Sequence, residues 1–341
     1  MKKYRWVIIL LIASIFVLGA CSVDQTASQN NNSSEPSETT SEPASNSEPI
    51  TETLYMGGVP SSSAAYPLTA TVAKILGENG IEVNIEASRG GTENLGFVQS
   101  DQVDIGIAGN HTVYQASKGI EEFSDVHDKI TGWFPLYQLS LQMVVKKDSG
   151  IKTWEDLKGK KINVGVKGGS SETAFEKPFE VMGLSRSDFE PYFLENSEGL
   201  EALKIGTIDA TLVVGPAPVA AVLEAQSGMD IRLIDIPKEK VELLKDDYPY
   251  YSPSMISSEI YGLENDTESL TWTTIFFVDK DLSEDLMYKM TKAVWENLDQ
   301  LHDTSSDTKI IDAESLKNGV QNVVPIHPGA LKYYQEQGLL E

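Results

Sequence analysis

A single cysteine, Cys21, stands in a chain of 341 residues, so no intrachain disulfide can form and stability must come from packing. Arginine is nearly as scarce, limited to Arg5, Arg89, Arg186 and Arg232. Lysine and arginine together number 27 against 51 aspartates and glutamates, a formal charge of −24. That balance argues against a nucleic-acid partner and against holding an anionic membrane face through a basic patch. The four histidines, His111, His127, His302 and His327, show no metal-ligand spacing. No Gly-x-Ser-x-Gly elbow is present, and the acid pairs Glu121-Glu122 and Asp246-Asp247 have the setting of solvated loop charges. Nothing in the pattern asks for a metal, a cofactor or an enzymatic reaction.

What is present begins with an address. Lys2, Lys3 and Arg5 precede an apolar stretch at 6–17, and Leu18-Gly19-Ala20-Cys21 follows. The stretch is shorter than the ~20 residues a spanning helix needs, and the layout is that of a secretory signal. A cysteine at the small-residue cut resembles the lipobox of bacterial lipoproteins. There the signal, here 1–20, is removed, and Cys21 carries the lipid. Two or three acyl chains anchor stably where one is marginal. Residues 22–50 hold no aromatic residue, no lysine and no arginine, and are dense in Ser, Asn, Thr, Glu and Pro. Such a segment cannot bury enough apolar surface to order itself, so 21–50 is expected to be a lipidated, disordered tether. Removing the signal takes three positive charges and leaves a mature chain near −27.

From about residue 51 the composition is that of globular protein, long enough for two lobes. Strands are expected at 53–56, 81–87, 104–108, 136–146, 161–166, 209–214, 231–236 and 270–278. Helices are expected at 66–77, 93–100, 112–118, 172–182, 197–205, 219–226, 283–302 and 330–337, with a short one at 154–157 capped by Thr153. This is an α/β alternation in two series joined by two long strands. It predicts lobe 1 at 51–143, lobe 2 at 144–270, and a return to lobe 1 at 271–341, with a small-molecule cleft between lobes.

Three turns share one design, in which a strand ends, a Gly/Ser/Thr-rich turn follows, and a helix begins. They lie at 57–65, 89–92 and 167–173. The first helical N–H groups have no internal partner, the dipole adds positive potential, and the result suits a carboxylate or phosphate. Ordinary capping by Ser and Thr is the competing explanation. No turn matches a phosphate-binding Walker loop, because Gly168-Gly169-Ser170-Ser171 lacks the Gly-Lys-Ser/Thr ending, and none matches the dinucleotide fingerprint. The candidate ligand contacts are Ser61, Ser62, Ser63, Tyr66, Arg89, Gly91, Thr92, Asn110, Tyr137, Gly169, Ser170 and Ser171. Lys167 stands at the mouth of the third turn.

Several segments carry a family resemblance. Gly57-Gly58, Tyr66-Pro67-Leu68, Glu86-Ala87 and Gly90-Gly91-Thr92-Glu93-Asn94-Leu95 are followed by Val103-Asp104-Ile105-Gly106-Ile107, Asp148-Ser149-Gly150-Ile151 and Asp156-Leu157-Lys158-Gly159-Lys160. The ending Pro325-Ile326-His327-Pro328-Gly329-Ala330 with Tyr333-Tyr334 is the most specific. Together they resemble the TAXI proteins, extracytoplasmic solute receptors of tripartite ATP-independent periplasmic (TRAP) transporters. The resemblance implies a two-lobed, type II-like periplasmic-binding fold that closes on a small organic anion, of dicarboxylate or acidic amino acid type. It also implies membrane permease subunits driven by a cation gradient as partners, and a packing role for His327-Pro328. The first turn and Gly109-Asn110-His111 depart from the family pattern where ligand contacts would be carried over. An exported binding protein serving a sensor or an ATP-driven importer is the alternative.

Overall fold

The computed structural model describes residues 53–61, 63–167 and 170–341. The expected signal, Cys21 and the tether lie outside the described residues, as do Ser62, Gly168 and Gly169. The chain runs β1 (Thr53–Gly57), α1 (Ala65–Glu78), β2 (Glu82–Glu86), α2 (Gly91–Gln99), β3 (Ile105–Gly109), α3 (Asn110–Lys118) and the long β4 (Ile130–Lys146). A second series follows: β5 (Lys161–Asn163), α4 (Ser170–Val181), β6 (Glu190–Tyr192), α5 (Asn196–Lys204) and β7 (Ala210–Gly215). Then come β8 (Ile231–Ile234), β9 (Ser252–Ile256) and the second long strand, β10 (Thr267–Asp279). Helices Glu284–Trp295, Leu298–Thr304 and Pro328–Glu336 lie in the C-terminal part.

The described strands form one mixed sheet in the order β2-β1-β3-β10-β4-β7-β5-β6, with β8 added to β4 and β9 to β10. β1 is parallel to β2 and β3, β10 runs antiparallel to β3 and β4, and β5 is parallel to β6 and β7. Buried apolar side chains separate along this sheet. One core takes Leu54 through Tyr137 and then Ile275 through Leu340; two others take residues between Leu141 and Trp272, with Val323 added. Leu139, half-buried, packs against both the first core and the second. β4 and β10 therefore run from one core to the next, and Gln138 and Leu139 are the half-buried break in an otherwise buried mid-strand. Their register slips at Pro135–Leu136, opposite Ile275, where a proline is tolerated because the ladder is already interrupted.

Most expected elements appear within a few residues. The differences have physical reasons. β2 is largely exposed instead of half-buried, because it is an edge strand paired only with β1. The helix expected at 283–302 is two helices, broken at Asn297, whose side-chain amide turns back to donate to Ala293 O at 2.8 Å. Thr153 does not cap the short turn that follows it. Instead Asp156 accepts from the backbone of Lys152 and Thr153 and from the Thr153 hydroxyl. β6 and β9 were not anticipated, being too short or too Ser/Pro-rich to carry an alternating pattern. The C-terminal motif does pack as expected. His327 Nδ1 accepts from Gly329 N at 3.2 Å, opening helix Pro328–Glu336, while Nε2 bonds Leu282 O at 3.0 Å.

Candidate functional site

A cavity of about 900 Å³ opens where the long strands pass between cores. Its floor is one face of the paired strands. Tyr137 and Leu139 of β4 lie opposite Thr274 and Trp272 of β10, so alternation puts all four on the same side. Burial pushes the pKa of the Tyr137 hydroxyl up. The walls come from strand-to-helix junctions of the first series. Val59, Pro60 and Ser63 lead into α1, Arg89 to Thr92 into α2, and Ile107 to Gly109 into α3.

The capping explanation can be tested at each junction. At α1 it holds in part, since Ser63 Oγ accepts from Ala65 N at 3.2 Å. At α2 and α3 the capping residues are Gly90 and Gly109, and neither helix has a side-chain cap. Their first N–H groups, with the positive dipole ends, stand at the cavity wall. Gly90 holds φ at +125°, which favours glycine, and a Cβ on Gly91 would come within 2.7 Å of Ala108 Cβ. The two glycines thus bring α2 close against β3. Asn94 of α2, fully buried, fixes the junction further by donating to Gly58 O at 3.0 Å and Ile107 O at 3.1 Å, with Gly57 O at 3.4 Å.

Of the candidate contacts, Ser63, Arg89, Gly91, Thr92 and Tyr137 line this cavity together. Ser61 and Tyr66 do not; Tyr66 is 51% exposed on α1. Asn110 is a correction. It is fully buried, accepts from Thr273 N at 3.2 Å and donates to Gly319 O at 3.1 Å, so its amide is spent on joining β10 to the C-terminal segment. Ser170 and Ser171 open α4, while Ser62 and Gly169 lie outside the described residues. Lys167 sits 5.8 Å from the centre of the Phe193 ring. Arg89 is on the rim with its side chain 90% exposed, its guanidinium forked onto Glu93 at 2.9 and 3.1 Å. The backbone N–H and guanidinium of Arg89 in turn hold the Glu93 carboxyl below the usual range.

Among the lining residues that were not candidate contacts are two buried rings. His111, 4% exposed, and Trp272, 1% exposed, stand with ring centroids 5.7 Å apart, edge to face. Burial pushes the imidazole down to about 4, so it is neutral at physiological pH. His111 lay beside Asn110 in the sequence, but a lone histidine without a spaced partner gives no signal. The register of β3 on β10, which sets Gly109 opposite Thr274, is what brings Trp272 near it.

A mixed α/β sheet with three buried cores, crossed by two long strands, thus carries the cavity. The chain belongs to the NMT1-like family, which it matches over residues 56–338. Its fold is shared with the TctC solute binding protein from Polaromonas, 13% identical over 74% of this chain and 86% of that one, with a TM-score of 0.54. A periplasmic sulfonate-binding protein, SsuA from Methylobacillus flagellatus, is 16% identical over 84% of this chain and 78% of that one, with a TM-score of 0.49.

Proposed function

We propose that the protein is an extracytoplasmic solute-binding receptor, tethered through lipid on Cys21, which captures a small anionic metabolite. The ligand class is a dicarboxylate or an acidic amino acid, and the receptor hands it to a cation-driven TRAP-type permease. The observation that carries this reading is the pair of glycine-capped helix ends, α2 and α3, bordering one cavity at the junction of the cores. Open N–H groups at helix termini match an anion's oxygens. A solute binding protein of the same fold supports the receptor reading, and the TAXI-like motifs alone support the transporter type. The lobes are taken as 51–143, 144–270 and 271–341. Ligand gripped by both lobes favours the closed state by its differential affinity for it.

Binding is favoured over catalysis by the surroundings of His111. Its Nε2 meets the Thr112 hydroxyl at 3.1 Å, yet Nδ1 has no carboxylate to orient the ring, and the imidazole is too weak a base to activate that hydroxyl at neutral pH. The test is a thermal-shift screen of organic acids and amino acids, because stabilisation follows occupancy. Dicarboxylates or acidic amino acids should raise the melting temperature. Stabilisation by neutral or cationic solutes alone would overturn the anionic class, and turnover of a bound solute would overturn the receptor reading.

A further inference from the structure

Two ring nitrogens at the cavity lining have no hydrogen-bond partner. Trp272 Nε1 is buried without a partner, and so is His111 Nδ1. Leaving such a group unpaired inside a protein is costly, so two in adjacent rings at one cavity call for an occupant. The neutral imidazole carries one proton. In the tautomer in which the Thr112 hydroxyl donates to Nε2, the proton is on Nδ1 and both unmatched atoms are donors; a recess built of the two takes this tautomer.

Gly109 adds an independent observation. Its backbone, at φ −63° and ψ 137°, suits any residue, so conformation does not call for glycine here. A Cβ there would sit 2.5 Å from His111 Cε1 and 2.7 Å from Nδ1. The missing side chain is what leaves room for the Nδ1 edge of the ring against Gly109, and both residues line the cavity. His111 is also in the first turn of α3, where the helix dipole disfavours a second proton and strengthens the pull on an anion.

We propose that His111 Nδ1 and Trp272 Nε1 form a two-donor recess that takes one carboxylate group of the ligand, and so select carboxylates over solutes lacking that acceptor. This deepens the proposed function and rests on the cavity being the solute site. The uncapped end of α3 adds to the same positive field, and Tyr137 and Leu139 supply the apolar floor beside the recess. The selectivity needs no fixed cation. A site built of buried donors rejects a ligand without the matching acceptor, because the donors then stay unpaired.

The experiment is calorimetric titration of the full chain in detergent with succinate, glutamate and the carboxylate-free 1,4-butanediol. It is run on the wild type, Trp272→Phe and His111→Gln. Trp272→Phe keeps a buried ring and is the variant least exposed to a folding defect. The expected result is binding of a carboxylate but not of the diol, with affinity reduced at least about tenfold in each variant. The Trp272 indole N–H resonance, assigned by its loss in Trp272→Phe, should shift on saturation with the bound carboxylate. Unchanged affinity in both variants, or an indole signal that stays still, would overturn the recess while leaving the receptor reading intact. Absence of binding by either carboxylate would also overturn the recess. The receptor reading would then fall separately, only if no solute in the wider thermal-shift screen bound.

Discussion

The two α/β series of this protein are held together by buried asparagines that work in opposite ways. In the first series Asn94 is a pure donor, its amide nitrogen facing three strand-end carbonyls while its oxygen has no partner. In the second, Asn163 is balanced. It donates to Leu194 O at 3.3 Å and Thr211 Oγ1 at 3.0 Å, and accepts from Leu194 N at 2.8 Å and Gly165 N at 3.4 Å. The helix ends differ in the same sense. α2 and α3 begin at glycines with no side-chain cap, whereas α5 is closed by a capping box between Glu195 and Glu198. The described residues that line the cavity come from the first series and the shared strands, and none comes from between Leu141 and Tyr251. The α2 and α3 junctions therefore leave N–H groups open at the cavity, whereas the α5 junction satisfies its own. In the proposed closing cycle this assigns initial capture to the first series and enclosure to the second.

The largest expected effect tests that asymmetry directly. Asn94→Asp removes every donor and sets a buried negative charge among carbonyl oxygens, which should cost about 4 kcal/mol or more. Asn163→Asp keeps both acceptor bonds, and the Thr211 hydroxyl can turn to donate to the new carboxylate, so its cost should be about 1–2 kcal/mol. Urea denaturation of the two variants measures both. Equal losses would mean that the two junctions are held alike and that the contrast drawn from their hydrogen bonds is empty.

The limits of the sequence follow from the same two series. Strand and helix periodicity is local, so β1, α1, α2, β3 and β7 were legible to within a few residues. The glycines of 89–92 were legible as a motif, but their main physical reasons lie in φ at Gly90 and in the approach of Gly91 to Ala108. Asn110 was placed at the right junction and given the wrong partners, because its bonds go to Thr273 and Gly319, far along the chain. His111 and Trp272 were invisible as a pair for a similar reason. Only the sheet register between β3 and β10 makes them neighbours.

The next effect is a pH dependence lodged in the first series. His111 has a folded-state pKa of about 4 against an ordinary value of 6.5, because burial disfavours the cation. Between those values the unfolded chain binds a proton that the folded chain refuses. Stability is therefore untouched above pH 6.5 and falls as the pH drops towards 4, by about 3 kcal/mol in all. His127 and His327 are shifted in the same direction by burial but remain in a His111→Gln variant. The difference in unfolding free energy between wild type and variant, followed from pH 7 to pH 4, isolates the one residue. A constant difference across that range would mean that the imidazole is solvated, and the dry recess would go with it.

The smallest effect concerns the rim. The sequence made Arg89 the natural cation for an anionic ligand, and the structure shows its guanidinium exposed and committed to Glu93. An exposed pair of this kind adds little to folding, so Arg89→Ala should leave the melting temperature where it is. Its effect on binding should be indirect, because Glu93 also lines the cavity and would then present an uncompensated carboxylate to an incoming anion. Calorimetry with succinate should show affinity falling only a few-fold in Arg89→Ala, more at low salt than at high, and recovering in Arg89→Ala/Glu93→Gln. A drop of a hundredfold that Glu93→Gln fails to rescue would give Arg89 a direct ligand contact in the closed state. Capture would then depend on a rim charge as well as on donors fixed in the cavity lining, and the contrast between open α2 and α3 junctions and a self-satisfied α5 junction would have to include a side chain that changes partners on closure.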